Sequence, residues 1–131
     1  MKNILNRKSI ERYSRQIILK DVGPLGQKKI IKSKVLVVGA GGLGCPVIDY
    51  LSRAGVGYIG VIDHDIVNIS NIHRQSLYNS RDIGKFKVNV LKKKIKLINP
   101  QVKIKTFKEK IEKKNIEKIF KNYDFIIDGS D

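Results

Sequence analysis

A short apolar run that ends in closely spaced glycines constrains the fold of this chain more than any other feature. Residues 35–38 read VLVV, a β-branched run typical of a buried parallel strand. Gly39, Gly41 and Gly44 follow with the Gly-x-Gly-x-x-Gly spacing, and a helical pattern then continues to about Ala54. Such glycines allow a tight turn, a close approach to phosphate, and close packing of helix against strand. Since a helix N-terminus attracts anions, this segment predicts a nucleotide-binding site.

Strand and helix patterns alternate along the rest of the chain. This order predicts an α/β fold, a Rossmann-like doubly wound sheet of mainly parallel strands. Two helices are expected before the sheet, one capped by Ser9 and ending near Lys20, and one that follows a turn at 23–26 and ends near Ile31. We expect one domain, 1–131, with a helical extension over 1–32 and a βαβ core over 33–131. The predicted core strands are 34–38, 58–63, 102–107 and 123–128, and the predicted core helices are 42–53, 84–98 and 111–121.

The last predicted strand ends at Asp128, and the sequence stops three residues later at Asp131. Ligands of doubly wound sheets bind outside the carboxyl ends of the strands, so the sequence stops at the rim of its own predicted site. We therefore expect a fold that is truncated after the fourth strand, as in a fragment of a longer protein.

Composition excludes some classes of protein and leaves others open. The formal net charge is +15, and most of the lysines alternate with apolar residues at helix or strand spacing, which indicates solvated faces. A basic nucleic-acid-binding module remains an alternative with less support, because no stacking aromatic pattern accompanies the lysines. No apolar run approaches the ~20 residues that span a bilayer, so we expect a cytoplasmic protein without a membrane partner. The single cysteine, Cys45, excludes an internal disulfide and is interpreted as a buried apolar residue.

Polar residues after the second predicted strand suggest which chemistry the site performs. Asp63 ends that strand about 20 residues after Gly44, where the fingerprint expects an acid that binds a ribose. The glycine spacing and Asp63 together fit a nicotinamide-dependent oxidoreductase as well as they fit an enzyme that uses another nucleotide. The long connection that follows contains Arg74 and leads to Lys87, however, and phosphoryl or nucleotidyl transfer needs such cations because charge develops on phosphate oxygens.

Several motifs together resemble one known family. In order and in spacing they are similar to the successive motifs of the ThiF/MoeB family, whose members activate ubiquitin-like sulfur carrier proteins. The motifs are ERYSRQIIL at 11–19, GAGGLGC at 39–45, DHD at 63–65, SNIHRQ at 70–75, GKFK at 84–87 and DGSD at 128–131.

The resemblance implies adenylation of a carrier protein's C-terminal glycine carboxylate by Mg-ATP, with release of pyrophosphate. It implies a ThiS- or MoaD-like carrier as partner, a homodimer, and structural Zn²⁺ only in a second half that this sequence lacks. By motif, Arg15 acts on the partner subunit's triphosphate, Asp63 binds the ribose, and Asp131 helps to place Mg²⁺. The implied catalytic residues are Arg15, Arg74, Lys87 and Asp131, and the implied nucleotide-binding residues are Gly39, Gly41, Gly42, Leu43, Gly44, Asp63, Asp65, Asn71, Arg74, Gln75 and Lys87.

Overall fold

A computed structural model describes residues 4–131 and contains one four-stranded parallel sheet. The strands lie in the order β3-β2-β1-β4, with helices on both faces, so the predicted Rossmann-like α/β class is confirmed. The strands are β1 (Lys34–Val38), β2 (Tyr58–Ile62), β3 (Lys103–Phe107) and β4 (Phe125–Asp128). The helices are α1 (Arg7–Arg12), α2 (Ser14–Ile17), α3 (Gly23–Lys32), α4 (Gly44–Ala54), α5 (Lys87–Ile98) and α6 (Ile116–Phe120).

The register of the sheet aligns the carboxyl ends of its strands. Val38 of β1 pairs with Ile62 of β2 and with Asp128 of β4, and Ile62 also pairs with Phe107 of β3. Because the strands are parallel, the loops that follow them all leave from this edge. The glycine loop, the acid after β2 and the acidic terminus after β4 are therefore brought together.

Two apolar layers hold the sheet. Val35 and Val37 face the larger core, which α4, α5 and the 64–86 connection complete. Leu36 and Ile62 face the opposite side, where Ile119 of α6 covers them. Such alternation of β1 between two buried faces explains why residues 35–38 are all apolar.

The three N-terminal helices are held against this core by polar contacts. The Tyr13 hydroxyl donates to Gln101 Oε1 at 3.2 Å and accepts from Asn99 Nδ2 at 2.9 Å. Gln16 Nε2 donates to Gln27 Oε1 at 2.7 Å and to the Ala54 carbonyl at 3.0 Å. Tyr13 and Gln16 thus fix the position of α2 on the surface of the domain.

The N-terminal helices differ from the predicted pattern. The single helix expected from Ser9 to Lys20 is broken at Tyr13, and its cap is Asn6, whose side chain accepts from the Ser9 N–H at 2.9 Å. The expected turn at 23–26 is instead the first turn of α3, with proline just inside the helix. Proline suits that position because its fixed φ favours the helix and its missing N–H is not needed there.

Three later helices start after their predicted residues. Helix α4 begins at Gly44 rather than Gly42 because residues 39–43 form the glycine loop. Helix α5 begins at Lys87 because Phe86 is extended and forms an antiparallel bridge with Ile66. Helix α6 begins at Ile116 because the Asn115 side chain, accepting from the Glu112 N–H at 2.8 Å, closes a turn before it.

The long 64–86 connection is ordered by short local structure. It contains 3₁₀ turns at Ile69–Asn71 and Ser80–Asp82, each with a reciprocal capping box, formed by Asn68 with Asn71 and by Asn79 with Asp82. None of the helices formed by residues 4–131 is long and apolar enough to cross a membrane.

Candidate functional site

A cavity of about 550 Å³ lies at the carboxyl edge of the sheet. Its walls come from the glycine loop, from the ends of β1, β2 and β4, and from the segment between β3 and the end of α6. The lining residues are Val38, Gly39, Gly41, Ile62, Asp63, His64, Asp65, Lys87, Glu109, Lys110, Ile111, Ile116, Phe120, Ile126, Asp128, Gly129, Ser130 and Asp131.

The glycine loop needs glycine at two positions for its own geometry. Gly39 has φ +92°, a left-handed value that side chains disfavour. A Cβ on Gly44 would lie 1.9 Å from the Gly39 carbonyl oxygen, so α4 could not approach the loop with any other residue there. Gly41 lines the cavity, Gly42 is half-buried, and Leu43 is exposed at the start of α4.

Asp63 ties the glycine loop to the end of β2. Its Oδ2 accepts from the Ala40 N–H at 2.8 Å, and its Oδ1 accepts from the Asp65 N–H at 2.8 Å. Since an ionised carboxylate has about four lone-pair sites, Asp63 keeps acceptor capacity for a ligand hydroxyl.

Lys87 is a buried cation in the wall of the cavity. It is the first residue of α5 and is 5% exposed, so it is not one of the solvated surface lysines of this chain. Its Nζ lies 4.0 Å from Asp65 Oδ2, and its backbone N–H donates to the Asp65 carbonyl. A buried ammonium with one distant carboxylate favours an anionic ligand in the cavity.

Arg74 and Gln75 flank the glycine loop without lining the cavity itself. A Cβ on Gly42 would lie 3.6 Å from Arg74 Nε, and one on Gly41 would lie 3.5 Å from Gln75 Nε2. Arg74 is exposed, and its Nη1 donates to the Ser70 carbonyl at 3.0 Å. Gln75 is 3% exposed, and its Oε1 has no hydrogen-bond partner among the residues that the structure describes.

Asn71 and Arg15 are not among the residues that line the cavity. The Asn71 Oδ1 accepts from the Asn68 N–H at 2.9 Å and caps a 3₁₀ turn of the connection. Arg15 is exposed on α2. The functional roles predicted for both residues stay predictions.

Acidic groups after β4 also border the cavity. Asp128, at the end of β4, accepts from the Ser130 N–H at 3.0 Å and the Ser130 hydroxyl at 2.5 Å, and these hydrogen bonds lower the pKa of Asp128. Asp131 is exposed at the same rim. Carboxylate oxygens are the ligands that Mg²⁺ prefers, so this rim fits the metal that the motif predicts at Asp131.

Sequence patterns alone did not identify all the residues of this site. The apolar spacing over 111–121 predicts only a core helix, yet Ile111, Ile116 and Phe120 line the cavity. Glu109 and Lys110 lie before it in an irregular stretch with no recognisable motif. A cavity lined by both apolar side chains and a polar loop suits a ligand with both a flat ring and phosphates.

Cys45 lies beneath the glycine loop, fully buried, which confirms its interpretation as a core residue. Burial raises the pKa of its thiol, so this cysteine stays protonated.

The pattern of one protein family, the ThiF family, matches residues 13–131. Among curated relatives, the sulfur carrier protein adenylyltransferase of Thermus thermophilus is 43% identical over 125 residues, covering 95% of this chain and 46% of the relative. A probable molybdopterin-synthase adenylyltransferase of Gracilaria tenuistipitata is 42% identical over 127 residues, covering 97% of this chain and 36% of the relative. The chain thus spans less than half the length of these two relatives.

Solved structures share this fold, and one of the two described here was determined with ATP. The tRNA N6-threonylcarbamoyladenosine dehydratase of E. coli in complex with ATP superposes with a TM-score of 0.92 at 25% identity, over 98% of this chain and 53% of that one. The E. coli MccB complex with MccA-N7isoASN has a TM-score of 0.75 at 30% identity, over 87% of this chain and 34% of that one.

Proposed function

Because the chain belongs to the ThiF family, we propose that it is the nucleotide-binding part of an adenylyltransferase that acts on a ubiquitin-like sulfur carrier protein. The observation that carries the proposal is the cavity, in which a glycine loop and the buried Lys87 face a rim of carboxylates. In the reaction, the C-terminal glycine carboxylate of the carrier attacks the α-phosphate of ATP. An acyl-adenylate forms, and pyrophosphate leaves.

The site can perform this reaction without a general base. The attacking carboxylate is already ionised, so the protein's task is to position the reactants and to stabilise charge on the phosphate oxygens. We assign the phosphates to the glycine loop, Lys87 and Arg74, and the ribose to Asp63. An arginine fork matches phosphate oxygens and always stays charged.

We assign the adenine ring to the apolar wall formed by Ile116, Phe120 and Ile126. Asp131, with Asp128 beside it, would hold Mg²⁺, which when bound neutralises charge on the phosphates and on the leaving pyrophosphate. All of these residues line the same cavity, as a nucleotide bound within it requires.

We further propose that Arg15 acts on the nucleotide of a second copy of the chain in a homodimer. Its exposure on α2 and the firm attachment of that helix through Tyr13 and Gln16 support this role. A cation fixed on a surface helix can reach a neighbouring subunit with little entropic cost.

The nicotinamide-dependent oxidoreductase is the second enzyme class that the glycine loop permits. A hydride-transfer site gains little from a buried lysine beside the phosphates, and this favours the adenylyltransferase. ATP with Mg²⁺ should raise the melting temperature of the protein far more than NAD does, and the reverse order would support the oxidoreductase.

Binding and exchange measurements test the proposal. The protein should bind Mg-ATP by calorimetry, and with its carrier it should exchange radiolabelled pyrophosphate into ATP. Arg74→Ala should abolish exchange while the far-UV circular dichroism spectrum stays unchanged. The matched control is Arg81→Ala, which removes an exposed arginine from the same connection and should leave exchange intact. No exchange with any ubiquitin-like carrier, together with no ATP binding, would refute the proposal.

A further inference from the structure

Three side chains fix the backbone of the glycine loop at Ala40, which is fully buried. The Ala40 N–H donates to Asp63 Oδ2 at 2.8 Å. The Ala40 carbonyl accepts from the Tyr78 hydroxyl at 2.6 Å and from the Cys45 thiol at 3.5 Å. Two consecutive peptide groups of the loop are thus held by side chains from other parts of the chain.

The Ala40 carbonyl determines where the next N–H points. In a planar trans peptide, the C=O of one residue and the N–H of the following residue point in opposite directions, and residues 4–131 contain no cis peptide bond. Since Tyr78 holds the carbonyl toward the core, the Gly41 N–H points away from the core. Gly41 lines the cavity, and within the described part of the chain its N–H donates to no other residue.

Tyr78 is well suited to act as a permanent donor. It is 4% exposed, and burial raises the pKa of its phenol far above the usual range, so the hydroxyl keeps its proton at every working pH. Its backbone N–H donates to the Gln75 carbonyl at 3.1 Å, within the connection that also contains Arg74. The single hydroxyl therefore links the glycine loop to the segment that flanks it.

We propose that Tyr78 is a positioning residue for phosphate binding: by holding the Ala40 carbonyl, its hydroxyl directs the Gly41 N–H at the phosphates of the nucleotide. The proposal rests on the proposed function and adds a residue that does not line the cavity. Cys45 supports the same carbonyl as a weaker donor.

Tyr78→Phe tests this role because it removes only the hydroxyl. Loss of one neutral hydrogen bond should raise the calorimetric Kd for ATP about tenfold. The Kd for adenosine should not change, because adenosine has no phosphate to bind the Gly41 N–H. Tyr50→Phe is the matched control, since Tyr50 is 72% exposed on α4, and it should change neither constant.

A second variant, Cys45→Ala, removes the weaker donor from the same carbonyl. It should raise the Kd for ATP about twofold with the Kd for adenosine unchanged, and it provides the test if Tyr78→Phe does not fold.

The outcomes distinguish this proposal from the one on which it rests. If the unmodified protein does not bind ATP, the proposed function fails and the role of Tyr78 fails with it. If the unmodified protein binds ATP but the variants leave the ratio of the ATP and adenosine constants unchanged, only the positioning role is overturned. A parallel rise of both constants would indicate general damage to the loop and would also overturn it.

Discussion

Replacing Gln75 with methionine should stabilise the fold while it weakens nucleotide binding. The Gln75 side chain is almost fully buried, and its Oε1 has no hydrogen-bond partner among the described residues. An unpaired buried polar group costs about 1–3 kcal/mol, and a methionine of nearly the same shape avoids that cost without opening a cavity. We therefore expect Gln75→Met to raise the free energy of unfolding by about 1 kcal/mol, or the melting temperature by about 4 °C.

Gln27 offers a control, because it allows the same glutamine-to-methionine change at a buried amide whose oxygen and nitrogen both form hydrogen bonds. It is 0% exposed, its Oε1 accepts from Gln16 Nε2 at 2.7 Å, and its Nε2 donates to the Ala54 carbonyl at 3.1 Å. Gln27→Met loses two hydrogen bonds, so it should lower the free energy of unfolding by about 1–3 kcal/mol. The two substitutions should thus have opposite signs.

Urea denaturation of both variants, with calorimetric titration of ATP, measures these effects. ATP binding should weaken in Gln75→Met, because the glutamine lies against Gly41, and should be unaffected in Gln27→Met. If Gln75→Met destabilises the protein as much as Gln27→Met does, the Gln75 amide is satisfied in the folded state and the reasoning fails. If Gln75→Met is stabilised but its affinity for ATP is unchanged, Gln75 does not contribute to nucleotide binding.

Two further predictions concern stability. Gly44→Ala should lower the free energy of unfolding by several kcal/mol and abolish ATP binding, because its Cβ would lie 1.9 Å from the Gly39 carbonyl oxygen. A folded Gly44→Ala protein that binds ATP normally would contradict the close packing of α4 against the glycine loop. Burial alone would raise the pKa of Asp82, but its hydrogen bonds from the Asn79 N–H and from Lys94, at 2.9 Å, outweigh burial and lower the pKa below the usual 3.8. A lowered pKa in the folded state contributes stability above pH 4 that is lost as the pH falls through the folded pKa. The stability difference between the protein and Asp82→Asn, followed by urea denaturation, should therefore be constant above about pH 5 and should shrink below pH 4; a difference that does not vary with pH would contradict the role of this ion pair.

The buried strands and the glycine loop were predictable because their signals are local. Apolar runs such as 35–38 are typical of strands that are buried on both faces of a parallel sheet, and the glycine spacing encodes a backbone shape. Helix α5 was also predicted well, since Val88, Leu91 and Ile95 mark its buried face and Pro100 follows its end. Helix starts were less predictable, because a single capping side chain such as Asn115, or a backbone bridge such as Ile66–Phe86, decides where the first turn forms.

The sequence determined the fold class, the glycine loop and the acid that follows β2, because each depends on residue type at fixed spacing within one βαβ unit. Only the tertiary structure decided that Lys87 is buried, that Gln75 is left with an unpaired oxygen, and that Tyr78 holds the Ala40 carbonyl. Lys87, Gln75 and Tyr78 lie within the long irregular connection between β2 and α5 or directly after it, and packing against the sheet sets the path of that connection. No periodicity in the sequence indicates that packing. The side chains that position the glycine loop could therefore be identified only from the tertiary structure.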